Sequence, residues 1–429
     1  MKVRINILFI IAILVNMVFS EDCYPPGDTN WDGTLDILDI VVTVNSALGS
    51  SFNECSDINY DLEVNVLDIV KMVNVILNQP DCLYPGLTQI PDGNPLIAYG
   101  SPIVASDLDV LYDEEAGVYK MWHTAFRNQI LGIGYGVSED GLDWDLEADG
   151  SWPHVMQPTP GSWDRDGLET VSVMKKDDKY LMWYLGYPCY LDEGLLGRMR
   201  CIGYAESDDG INWTKHPDPV LVPTEEWEMP EIYPVWKDDV YYEVWYGGVQ
   251  EPSVHWDDSE NIYKMWYEGV TVDTVLDMQN GEYFTHLGKV HQIGYAESLD
   301  GITWTKHTDN PIFTPKFGDG SYPWEGWWFV GHTNVVVDLV QGYHLFYFSG
   351  HSIGHAFSLD GIHWNRNSNN PVLQGNPNNG ANFMSFAGPS ALFNGGQIKM
   401  FIMHSIPGAE YWWDGGGMYF GISAGSCSE

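Results

Sequence analysis

Two twelve-residue stretches near the N-terminus carry oxygen-bearing side chains at the spacing a hard cation needs. DTNWDGTLDILD, residues 28–39, offers Asp28, Asn30, Asp32, Asp36 and Asp39 at loop positions 1, 3, 5, 9 and 12, with Thr34 giving its backbone carbonyl at position 7. Gly33 stands sixth, where such a loop turns sharply. DINYDLEVNVLD, residues 57–68, repeats the spacing with Asp57, Asn59, Asp61, Glu63, Asn65 and Asp68, and Leu62 replaces the glycine. Hard oxygen ligands at these intervals suit Ca2+, one ion per loop. Each loop runs into an apolar helix, ILDIVVTVNSAL or VLDIVKMVNVIL. A second chemistry is offered by four ionisable residues further on. Asp107 stands in SDLDVLYD, Glu169 in LETVSVMKKD, Glu251 in EPSVHWD and His332 in HTNVVVD, each near the start of a strand-like run.

What positions those four is a repeat. IGYGVSEDGLDW starts at Ile133, IGYAESDDGINW at Ile202, IGYAESLDGITW at Ile293 and IGHAFSLDGIHW at Ile353, with a truncated MYFGIS at Met418. Each copy follows an apolar-aromatic strand, such as YKMWHT from Tyr119 or YKMWYEG from Tyr263. Asp-Gly between alternating apolar runs is a hairpin signal. Five copies of one β-rich unit at this spacing predict a mainly β chain built as a five-bladed β-propeller. The third copy reads as a whole blade: EPSVHWD, YKMWYEG, IGYAES and ITWTKH as strands one to four. Asn94-Pro95-Leu96-Ile97 matches the repeat ends DPVL at 218–221, NPIF at 310–313 and NPVL at 370–373, a piece the last copy lacks. Residues 84–100 are therefore expected to supply the missing outer strand of the last blade and close the ring. The expected organisation is residues 1–20 as a signal peptide, 21–83 as a small α-helical calcium-loop domain and 84–429 as the propeller.

In a propeller the first strand of each blade lines the channel, so Asp107, Glu169, Glu251 and His332 should converge at one pore mouth. The long variable segments, 187–200, 222–249, 270–291 and 314–326, fall on that same face, which marks it as functional. Like charges crowded there push their pKa values apart, as a general acid–base pair requires. Asp166 in the Asp164-Arg165-Asp166 run competes with Glu169, and Glu231 in MPEIYP is a further candidate acid. Hydrogen bonding, or holding a cation in the channel, is the competing role for each of these groups.

Two resemblances add to this reading. The tandem loop–helix units, with Asp rather than Glu at position 12, resemble a type I dockerin over nearly all of residues 21–83. That resemblance implies two bound Ca2+ ions and docking onto a cohesin-bearing protein. Loop positions 10 and 11, which help choose the partner in dockerins, are Ile37, Leu38, Val66 and Leu67 here. The propeller resembles the five-bladed glycosidases of glycoside hydrolase families 43 and 32. By position it implies Asp107 as general base or nucleophile, Glu169 as positioner and pKa modulator, and Glu251 as general acid, with His332 beneath the site. The function implied is a glycoside hydrolase acting on poly- or oligosaccharide. The alternative from another class is a non-catalytic carbohydrate-binding propeller on an extracellular scaffold.

Lys2, Arg4, an apolar run from Ile5 to Val15 and Ser20 read as a secretory signal peptide, too short to span a membrane. Secretion to an oxidising compartment suits the six cysteines; Cys189 and Cys201 flank a hairpin loop and should pair, while Cys23, Cys55, Cys82 and Cys427 allow three pairings. Nineteen basic against sixty acidic side chains argue against nucleic acid or an anionic membrane as partner. Trp324, Trp327, Trp328, Tyr411, Trp412 and Trp413 are expected on the loop face, where flat rings can stack on sugars. Trp144, Trp213, Trp304 and Trp364 recur in the repeat and read as packing between blades. His286 and His291 read as loop or packing residues, with no zinc spacing.

Overall fold

The computed structural model describes residues 27–30, 35–49, 53–58, 63–78, 88–89, 104–146, 154–189, 197–229, 231–237, 240–279, 282–316, 324–325, 329–338, 342–350, 352–367, 369–374, 386–394, 397–405 and 418–425. The expected signal peptide, Asp32, Thr34, Asn59, Asp61, the 94–97 segment, Trp327, Trp328, Tyr411, Trp412, Trp413, Cys23, Cys82 and Cys427 lie outside these residues. The chain divides between Val73 and Asn74 into two compact units; the border expected at 83/84 also falls outside the described residues.

Each cation-type loop leads into a helix, α1 at Ile37–Leu48 in the first unit and α2 at Val66–Asn78, which starts in the first unit and runs across the border. Asp36 caps α1: its side chain accepts from Leu38 N–H, and Asp39 accepts in return from Asp36 N–H at 2.8 Å. This capping box satisfies donors the first helical turn leaves open. Leu35, Ile58, Thr43 and Met72 are buried in this unit, and Thr43 Oγ1 lies 3.2 Å from Ser56 Oγ.

The second unit is mainly β and propeller-like. Sheet one comprises Val104–Asp113, Val118–Arg127 and Ile130–Ser138. Sheet two comprises Gly167–Lys176, Lys179–Tyr187, Gly197–Ser207 and Thr214–Lys215. Sheet three comprises Val240–Asp257, Ile262–Gln279, Glu282–Ser298 and Trp304–Lys306, with Glu231–Lys237 paired to its leading strand. Sheet four comprises Gly331–Asp338, Gly342–Ser349, Ser352–Ser358 and Asn365–Arg366. Sheet five comprises Phe386–Asn394, Gln397–Ser405 and Met418–Gly425, and Thr88–Gln89 adds to its outer edge, Thr88 opposite Ala424. The N-terminal segment thus pairs with the last sheet, as the repeat arithmetic anticipated.

The repeat residues stitch one sheet to the next. Ser207 and Ser298 each accept from the turn glycine through Oγ (Gly210 N–H at 2.8 Å, Gly301 N–H at 2.9 Å), and Asp209 and Asp300 take the following amides. The carbonyl freed at each glycine accepts from the previous sheet: Trp122 Nε1 to Gly210 O, Trp183 Nε1 to Gly301 O and Trp266 Nε1 to Gly361 O. Trp213, Trp304 and Trp364 meet the same indoles edge-on at 6.2–6.4 Å, which is the core role expected of them. The apolar core is accordingly a series of clusters, each between neighbouring sheets, and the one containing Phe346 and Phe401 also takes in Leu108 and Val110 of sheet one.

Segments expected as loops are strands. The 270–291 stretch continues as an antiparallel hairpin from Val270 opposite His291 to Gln279 opposite Glu282. Within 222–249, residues 245–248 run parallel to residues 197–200 and join sheets two and three into a single nine-stranded sheet. Alternation over these segments is too irregular to read as strand, and the pairing that fixes them comes from a neighbouring sheet.

Candidate active site

The leading strand of every sheet carries a one-residue irregularity near its start, and there the backbone turns left-handed. The residues are Asp107 (φ 46°), Thr170 (φ 32°), Glu251 (φ 51°), His332 (φ 46°) and Gly388 (φ 52°). Glycine is the natural occupant of such a position. Four side-chain-bearing residues held there, one of them β-branched, are strain of the kind that gathers at functional sites. All five line one pocket.

Beyond the irregularity each strand hands a side-chain acceptor to the next sheet. Asp109 Oδ2 takes Val173 N–H at 2.7 Å, Ser172 Oγ takes Val254 N–H at 3.0 Å, and Ser253 Oγ takes Val335 N–H at 3.0 Å. Asn334 Oδ1 takes Ala391 N–H and Ser390 Oγ takes Val110 N–H, both at 3.0 Å, which returns the series to sheet one. These bonds hold the five left-handed positions at one level around the pocket. Asp109 borders it too and burial pushes its pKa up to about 6, but its oxygens are taken by Val173, Ser390 and Val110.

Asp107, Glu251 and His332 are brought together as expected, each with a donor atom within 4.8 Å of the others'. His332 Nδ1 stands 3.5 Å from Glu251 Oε2 and 3.6 Å from Asp107 Oδ1. Ser106 Oγ donates to the other Asp107 oxygen at 2.7 Å. Burial opposes charge on His332, yet Glu251, Asp107 and Glu268 together lift its pKa to about 10. Burial raises the Glu251 carboxyl to about 7; His332 pulls against this, while Asp107 and Glu268 add to it. Three such donors have the spacing of a cation site, but here the His332 imidazolium already meets both carboxylates.

Glu169 does not join them. The irregularity between Glu169 and Val171 puts Thr170 in register with Asp107 and Glu251. A one-residue slip sends a side chain to the other face, and Glu169 lies 3.5 Å from Tyr187 Oη instead. Asp166 is exposed and meets Arg165 at 3.7 Å. Asp164 is buried and paired with Lys215 at 2.6 Å. Glu231 lies on the short strand opposite Tyr246. Trp324 is not a free sugar platform: its ring lies 5.8 Å from that of Tyr347, whose hydroxyl bonds the adjacent Glu325.

One residue in contact with the site carries no expectation from the sequence. Glu268, fully buried in the second strand of sheet three, accepts from Gln250 Nε2 and from His332 N–H at 2.9 Å, and pairs with His291 Nδ1. His291 is thus both a packing residue, its ring 4.1 Å from that of Phe329, and a carboxylate partner. The available signal was a carboxylate at a repeat position held elsewhere by Thr124, Leu185 and Phe348.

No family model matches the chain, and none of the curated proteins does. Solved structures do match. One described as "Glycoside hydrolase" shares 13% identity at a TM-score of 0.52, covering 80% of this chain and 93% of its own. A glycosyl hydrolase from Bacteroides ovatus shares 14% identity at a TM-score of 0.50, covering 80% of this chain and 95% of its own. The fold is glycoside hydrolase-like. Identity this low carries the architecture alone.

Proposed function

We propose that the second unit is a closed five-bladed propeller acting as a glycoside hydrolase on poly- or oligosaccharide. The observation that carries this reading is the pocket where Asp107 and Glu251 oxygens come within 4.8 Å with His332 between them. Glu251, protonated up to about pH 7, is the general acid that gives its proton to the glycosidic oxygen as the bond breaks. Asp107, the carboxylate across the pocket, takes the anomeric carbon. Oxygens of the two carboxylates come within 4.8 Å of each other, which favours direct attack, the retaining course, over attack through an intervening water. Asp107 therefore forms a glycosyl ester, and water, deprotonated by Glu251, then releases the sugar with its configuration kept.

Glu251→Gln tests this: turnover on a hydrolysed glycan should fall by roughly 10²–10⁴-fold, with binding retained and the product anomer of the wild type unchanged from substrate. A second reading, a carbohydrate-binding propeller without catalysis, is favoured by Thr170 standing where the family resemblance implies an acid. Wild-type protein that binds glycans in a broad screen and cleaves none would establish it.

The first unit reads as a dockerin-like module holding two Ca2+ ions. Lys71 is the one basic side chain in residues 21–83 against twelve acidic ones, while Asp28, Asp39, Asp57 and Asp68 are buried. These four stand at loop positions 1 and 12 of the two stretches, where a calcium loop places ligand carboxylates, so they fit a bound cation. Ile37, Leu38 and Val41 of α1 and Val66, Leu67 and Val70 of α2 are more than half exposed at matching positions, a duplicated apolar face suited to a cohesin. Secretion, proposed from the N-terminal sequence, agrees with the Cys189–Cys201 disulfide and with Cys55 being disulfide-bonded.

A further inference from the structure

The leading strand of sheet two brings Thr170, not a carboxylate, to the pocket that Asp107, Glu251 and His332 line. A carboxylate nonetheless reaches the site from below. Glu268 lies opposite Gln250 on the neighbouring strand, next to Glu251 in sequence, and its far oxygen receives the backbone N–H of His332. The approach is close: a Cβ on Gly331 would fall 1.8 Å from Glu268 Oε2, so a side chain before His332 would displace this carboxylate. We propose that Glu268, held by Gln250 and His291, is the third carboxylate of the site, a positioning residue that fixes His332 between Asp107 and Glu251. This rests on the hydrolase reading for its purpose, though not for its geometry.

The charges around it are consistent with that role. Glu268 faces His291, the His332 amide and Gln250, with Lys289 and Arg200 acting on His291 from behind. Burial would neutralise Glu268, but His291 and then His332 hold its pKa below the usual carboxylate value, so it stays ionised. Glu251 faces His332, Asp107 and Glu268, and the negative charge of Glu268 helps keep it protonated. Removing that charge should lower the pH at which Glu251 ionises.

The test is carboxyl infrared titration of the full chain, with the Glu251 band identified by its loss in Glu251→Gln. Glu268→Gln should move the midpoint of that band to lower pH, and should cut kcat at least tenfold with KM within about twofold. Glu268→Asp, which keeps the charge, should leave the midpoint near the wild-type value while lowering kcat; it also serves if the Gln variant does not fold. Identical midpoints in wild type and Glu268→Gln, or equal shifts in the Gln and Asp variants, would overturn the proposal. A shifted midpoint in a protein that hydrolyses no glycan would uphold the positioning role and remove the hydrolase.

Discussion

Asp107, Glu251 and His332 line one pocket, each held in a backbone conformation that side chains rarely adopt. Such strain is of order 1–3 kcal/mol per residue and must be met by surrounding contacts. The reward is convergence: three groups separated by tens to hundreds of residues bring one polar atom each within 4.8 Å of the others. Its sign sets a prediction. Glu251 has a folded pKa raised from 4.5 to about 7, and as general acid it is competent only while protonated. The kcat/KM profile should therefore be lost as pH rises through about 7, roughly tenfold per unit beyond it. Glu169→Gln, outside the pocket, should leave that alkaline limb in place, which a parallel pH profile of the two proteins checks.

At the scale of elements, the sheets are joined by two kinds of bond, both made by repeat residues. Near the pocket the side-chain acceptors Asp109, Ser172, Ser253, Asn334 and Ser390 each take a backbone N–H of the next sheet. Farther out the tryptophans of the second strands donate to turn glycines. Ser253 is buried, so Ser253→Ala strands the buried Val335 amide. The expected loss is about 1–3 kcal/mol, measurable as a lower midpoint in urea with an unchanged slope. A third recurring device locks the connections between sheets. Trp227-Glu228 and Trp324-Glu325 each place an indole against a tyrosine and a carboxylate against both that tyrosine and a cation, Lys306 or Arg366. The Trp-acid pair is visible in the sequence at both places, but its partners lie 39–78 and 22–41 residues away, which is why Trp324 reads as a sugar platform until the chain is folded.

For the whole molecule the dominant fact is charge, a formal net of −41. In the first unit that charge is concentrated in loops with buried carboxylates. The calcium proposal makes a sharp expectation there. Chelation should unfold the helices of residues 21–83, seen as loss of helical circular dichroism and a melting transition restored by added Ca2+, while the β signal of the propeller persists. A helical signal indifferent to chelator would remove the cation from the account.

Local chemistry in the sequence was enough to specify the hairpin turns, the repeating indoles, the helix starts and the pairing of the N-terminal segment with the last sheet. All of these depend on spacing within a few residues or on matching copies of one unit. It was also enough to expect Asp107, Glu251 and His332 at one pocket, since each opens a strand that the repeat assigns to the channel. The choice between Glu169 and Thr170 was not available, because a one-residue irregularity reverses which side chain faces inward and leaves the pattern of apolar residues intact. Glu268 was hidden for a related reason: it sits in a second strand, and only packing of sheet four against sheet three lays the His332 amide on its carboxylate. Tertiary structure decided these two points, through contacts whose partners are remote in the chain.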